Sequence, residues 1–100
     1  MVQFTPGKWV GNQWPSIEVE PVDTLVFQLL LCYLADIYQF PLPPVYTLDG
    51  CFADFQLLGT EASLDLDNWS LSFACPNEAV RDHVLATLQA LPPDFFELVK

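Results

Sequence analysis

By residue type, Cys75 and His83 are the best candidates for nucleophilic chemistry, and Asp54, Asp65 and Asp67 for acid–base or metal chemistry. Cys75 precedes Pro76 at the start of an apolar-periodic segment, where a helix dipole would lower a thiol pKa. His83 is the sole histidine, and eight residues of helix place it about 12 Å further along, beyond the reach of a thiol–imidazole pair. Asp65-Leu66-Asp67-Asn68 opens like a calcium loop, but it lacks the glycine and closing glutamate that complete one. One histidine and scattered cysteines supply neither the count nor the spacing of a zinc site. Four unclustered glycines exclude a phosphate-cradling loop. Asp54 and Asp65 would be a working carboxylate pair only if an apolar pocket shifted one of them. The expectation is therefore a non-enzyme with no cofactor and no metal.

The charge is the strongest compositional signal. Thirteen acidic residues stand against three basic ones, Lys8, Arg81 and Lys100, for a formal charge of −10. Phosphate recognition needs clustered lysine and arginine, so direct nucleic-acid binding and anionic membrane surfaces are disfavoured. A basic protein surface is the favoured partner. Cys32, Cys51 and Cys75 sit in apolar runs without disulfide spacing, which reads as free core thiols in a reducing compartment. No charged-then-apolar leader opens the chain, and Asn68-Trp69-Ser70 matches a glycosylation acceptor only by chance; the expected location is cytoplasmic.

The elements that must position these residues are organised around Leu25–Tyr38, apolar except for Gln28 and Asp36. A bilayer span needs roughly 20 apolar residues, so this stretch is too short for one and reads as a core helix. Asp23 caps or favours its start, and Pro41, Pro43 and Pro44 forbid its continuation past about Gln39. Ile17 and Val19 alternate with polar residues as a short strand, and Val45–Leu48 reads as another. Cys51–Leu58, Leu64–Leu66 and Trp69–Cys75 then form a three-stranded antiparallel meander. Its greasy face includes Trp69, Leu71 and Phe73, and Asp54, Asp65 and Asp67 share its polar face. Asn77–Leu91 has helical spacing, with Arg81 turned outward, and the tail Asp94–Lys100 adds one amphipathic turn.

The fold class is α+β: a two-layer sandwich with an antiparallel β-meander and two helices on one face. Residues 1–15 form an irregular aromatic arm on a single domain at 16–100. Trp9 and Trp14 in that arm are either a lid over the core or interface anchors. Small size, acidity and the missing catalytic set are shared with many small bacterial immunity and inhibitor proteins, a resemblance of type resting on charge and size. The functional expectation is a protein-binding module, with Asp54, Asp65, Asp67, Trp9 and Trp14 as its contact residues. The alternative is a homo-oligomeric structural or accessory subunit, such as a homodimer, that buries the spare apolar surface of the central helix.

Overall fold

The computed structural model describes residues 2–47, 50–92 and 94–96. Five strands form one antiparallel sheet in the order β1 (Gln3–Lys8), β2 (Pro15–Glu20), β5 (Leu71–Ala74), β4 (Thr60–Leu66), β3 (Cys51–Leu57). Helices α1 (Thr24–Tyr38) and α2 (Glu78–Gln89) complete the α+β architecture. α2 packs on β1 and β2, and α1 on β4. No helix among the described residues is long and apolar enough to cross a membrane.

The core follows from period-two alternation along the strands. Ile17, Val19, Ala53, Phe55, Leu57, Leu64, Leu71 and Phe73 point to one face, where they meet Val26, Phe27, Leu30 and Leu34 of α1 and Val84 and Leu88 of α2. α1 begins where Asp23 Oδ1 accepts from the amides of Leu25 and Val26 at 2.7 and 3.3 Å. It ends at Gln39, left-handed at φ 58°, just before the prolines. Asn77 caps α2 in the same way, through Val80 N–H at 3.1 Å. Leu58 and Gly59 (φ 51° and 79°) make the two-residue hairpin turn between β3 and β4, so Thr60 and Glu61 already belong to the strand. Gly50 at φ 131° enters β3 so close to β4 that any Cβ would collide with the Leu66 carbonyl oxygen.

Several expectations are corrected. Residues 3–8 are not an irregular arm. They pair with β2 along its whole length and extend the meander by an edge strand, despite Pro6 and Gly7. An edge tolerates Pro6 because it needs a ladder partner on one side only. Val45–Leu48 shrinks to a single bridge between Tyr46 and Phe52, with Leu48 itself outside the described residues. Trp69 leaves the greasy face: Asp67 to Ser70 is a four-residue loop that tips its ring into solvent, 86 % exposed. Arg81 points inward and is 9 % exposed. Of the three cysteines only Cys75 is buried; Cys51 is half-buried and Cys32 exposed. The tryptophan arm does not cover the far side of α1. Tyr33 there meets Phe95 edge-on at 5.1 Å, and Phe95 and Phe96 pack at 4.8 Å. The rest of the expected C-terminal turn, 97–100, lies outside the described residues.

Candidate functional site

The outer face of the sheet is built on small residues. Gly7, Ser16, Ala74, Ser63 and Asp54 lie in one row across the five strands. Glu18, Ser72 and Asp65 lie in the next row. Such a low floor leaves room for large rings from the β1–β2 hairpin. Trp9 and Trp14 close that hairpin, joined by Trp9 N–H to the Trp14 carbonyl at 2.9 Å. Their rings stack at 6.1 Å and 6°. Trp9 Nε1 donates to Ser72 Oγ at 3.0 Å, which anchors the pair to β5. Ser16, Ser63 and Ser72 are buried, although they lie on the polar face of the sheet. The two sets of sequence candidates, tryptophans and aspartates, thus converge on one face.

The tryptophan pair is flanked by carboxylates on two sides. Trp9, with Val10 and Asn12, lines a shallow depression of about 310 Å³ with Asp65, Asp67, Ser70 and Ser72. Trp14 lines a second, of about 420 Å³, with Asp54, Gln56 and Glu61. Val10 at the hairpin tip is 95 % exposed. The exposed Val10 and the partly exposed Trp9 and Trp14 therefore lie beside Asp54, Glu61, Asp65 and Asp67.

The three aspartates differ in environment. Asp54 is exposed and opposite Ser63, while Asp65 is opposite Phe52, so the two carboxylates are diagonal rather than directly facing. Half-burial pushes the Asp65 carboxyl up, against a 2.6 Å hydrogen bond from Ser63 Oγ; the charges of Asp54 and Asp67 raise it further. Asp67 is held down, chiefly because its Oδ1 accepts from the amides of Trp69 and Ser70, both at 2.7 Å. That chelate shapes the loop which presents Trp69. Sequence parity missed Trp69 as a surface residue, although the Asp67-Asn68 turn signal beside it was the available clue.

Asp65 gives a signed stability prediction. A carboxyl whose folded pKa exceeds its unfolded value binds its proton better in the folded state, so stability falls as pH rises from the unfolded through the folded pKa. Asp65→Asn keeps an acceptor for Ser63 and removes the ionisable group. The variant should be more stable than the parent in urea unfolding at neutral pH, and the advantage should vanish at about pH 3, where the carboxyl is mostly protonated in the folded and the unfolded chain alike. An advantage that persists undiminished at low pH contradicts this.

The nucleophile candidates do not assemble. The Cys75 thiol is pushed up, mainly by burial, and its Sγ donates to the Asn77 carbonyl at 3.2 Å. His83 faces the other helix, with Nδ1 2.9 Å from Tyr38 Oη, which also lies 3.1 Å from Thr87 Oγ1. This cluster ties α1 to α2. Among the described residues, no three His, Cys, Asp or Glu side chains gather as metal donors.

Arg81 is the functional residue that the sequence reading placed wrongly. Its Nη1 donates to the carbonyls of Gly7 (3.0 Å) and Ser16 (3.1 Å), and its Nε to Asp82 Oδ1 at 2.7 Å. Those carbonyls lie two residues before Trp9 and two after Trp14. The guanidinium therefore fixes the strand ends that carry the tryptophan pair. No known protein family matches this chain, and neither a curated protein nor a solved structure does.

Proposed function

We propose that this protein is a non-catalytic acidic binding module that docks a basic protein through the outer face of its sheet. One observation carries the reading: a stacked, anchored tryptophan pair stands between two carboxylate-lined depressions. Anchored aromatic rings are low-entropy contacts of the kind that dominate interface energy. Carboxylates around them suit arginine and lysine, whose cations gain from both the acid and the ring face. Arg81 is engaged internally with the Gly7 and Ser16 carbonyls, so its guanidinium is not presented at the face, and the chain keeps a net charge of −10. Neutralising a basic toxin or enzyme, as an immunity or inhibitor protein in the cytoplasm, is the role this chemistry fits best.

The test is capture of proteins from the native host by the parent and by Asp54→Asn/Asp65→Asn/Asp67→Asn. Asparagine at 67 still accepts from Trp69 and Ser70, and at 65 from Ser63, so the fold should survive. The parent should retain a basic protein whose affinity falls steeply with salt. The triple variant should bind it at least about 100-fold more weakly, as expected when several charge-assisted contacts are lost. Undiminished binding by a folded triple variant rejects the reading.

A further inference from the structure

We propose that β3 is a docking edge whose occupant is an extended segment of a basic protein, added as a sixth strand beside Asp54 and Gln56. The proposal rests on the binding-module reading and specifies how the partner would lie against the face.

The two edges of the sheet are unlike. β1 is protected: Pro6 has no N–H to offer, and Gln89 Nε2 from α2 donates to the Phe4 carbonyl at 3.3 Å. β3 is only begun. Phe52 exchanges two 2.9 Å backbone bonds with Tyr46, so its amide and carbonyl face away from β4. By the period of two, Asp54 and Gln56 present their backbone groups in the same direction. The tight hairpin agrees, because the Leu57–Thr60 and Phe55–Ala62 pairs are then the ones bonded toward β4. Among the described residues, no backbone hydrogen bond meets the outward groups of Asp54 or Gln56. Pro43 and Pro44, preceding the Tyr46 bridge, have no N–H with which to continue its ladder.

The chemistry beside this edge selects the occupant. Side chains of an added strand alternate between the two faces. Those on the outer face would arrive at Asp54 and at the depression lined by Trp14 and Glu61, which suits arginine or lysine. Those on the other face would arrive beside the half-buried Phe40, whose ring stacks on Phe55 at 4.6 Å, and the exposed Leu58, which suits apolar residues. An alternating apolar–basic strand satisfies both faces. A second copy is the poorer occupant, since it would bring another net charge of −10 against the same edge.

The probe is a capped peptide of about nine residues alternating valine with arginine, a typical strand length or slightly more. It is titrated into ¹⁵N-labelled full-length protein. Expected are shifts and slowed hydrogen exchange at the Asp54 and Gln56 amides. A peptide N-methylated on the amides that face β3, its charge unchanged, should bind at least about tenfold more weakly, as loss of one or more net backbone hydrogen bonds requires. Equal binding of both peptides, with shifts confined to Trp9, Trp14 and Asp65, overturns the edge and leaves the binding-module reading intact. Failure of both peptides to bind also overturns the edge, while the capture comparison above decides the module reading separately. Equal binding of a valine–glutamate peptide overturns the basic occupant. A dimer that protects Asp54 and Gln56 without peptide gives the edge to a second copy and overturns the proposal too.

Discussion

Phe73→Ala should cost about 3–5 kcal/mol of unfolding free energy, the usual loss for a buried phenylalanine truncated in a packed core. Phe73 lies on β5, which is bonded on both sides, to β2 and to β4. Its ring is 1 % exposed and 6.3 Å from that of Phe55. A cavity there borders both neighbouring strands, so no side chain can collapse into it without moving the sheet. A domain of this size commands about 5–15 kcal/mol in total, and each kcal/mol shifts Tm by about 4–8 °C. Urea unfolding at unchanged m should therefore show a much lower midpoint. The comparison is Trp69→Ala, where the ring is 86 % exposed: stability should stay within about 0.5 kcal/mol. A loss below about 1 kcal/mol for Phe73→Ala would mean that the inner face is not packed as described.

Phe73 also illustrates what was legible in the sequence. Alternation along Cys51–Leu57, broken only at Phe52, and along Leu71–Phe73 announced the greasy face, because burial on one side of a sheet imposes a period of two on residue type. Asp23, Asn77 and the prolines marked the helix ends by local chemistry, which sequence carries directly. Long-range partnership was not legible. Pro6 and Gly7 in β1 are poor strand residues by propensity, and only pairing with β2 makes them a strand. Arg81 looked like a surface residue because arginine usually is one. Its burial depends on two carbonyls more than sixty residues away in the chain. The site was legible in parts and not as a unit. Asp54, Asp65 and Asp67 share a face by parity alone, but no spacing rule brings Trp9 and Trp14 onto that face. The shallow floor of Gly7, Ser16, Ala74, Ser63 and Ser72 does so, and it exists only once the strands are in register.

Arg81→Ala should lower stability by about 2–4 kcal/mol, combining lost packing of the buried stem with lost charge-assisted hydrogen bonds. The guanidinium holds α2 against the β1–β2 hairpin through the Gly7 and Ser16 carbonyls, and its ion pairs with Glu78 (3.7 Å) and Asp82 (2.7 Å) are on its wetter side. The exposed acids would contribute little alone; the two carbonyl contacts dominate. Arg81→Lys should restore only part of the loss, because one ammonium cannot reproduce the planar fork. The consequence for binding separates two explanations of the site. Removing one of three basic residues makes the chain more acidic, so a purely electrostatic site would hold a basic partner more tightly. A site that needs the tryptophan pair in register would instead bind it more weakly, since Gly7 and Ser16 lose the clamp two residues from each ring. The expected result for folded Arg81→Ala is weaker binding, together with altered tryptophan fluorescence from a loosened stack. Tighter binding with an unchanged fluorescence spectrum would assign the affinity to net charge and leave Trp9 and Trp14 a structural roof.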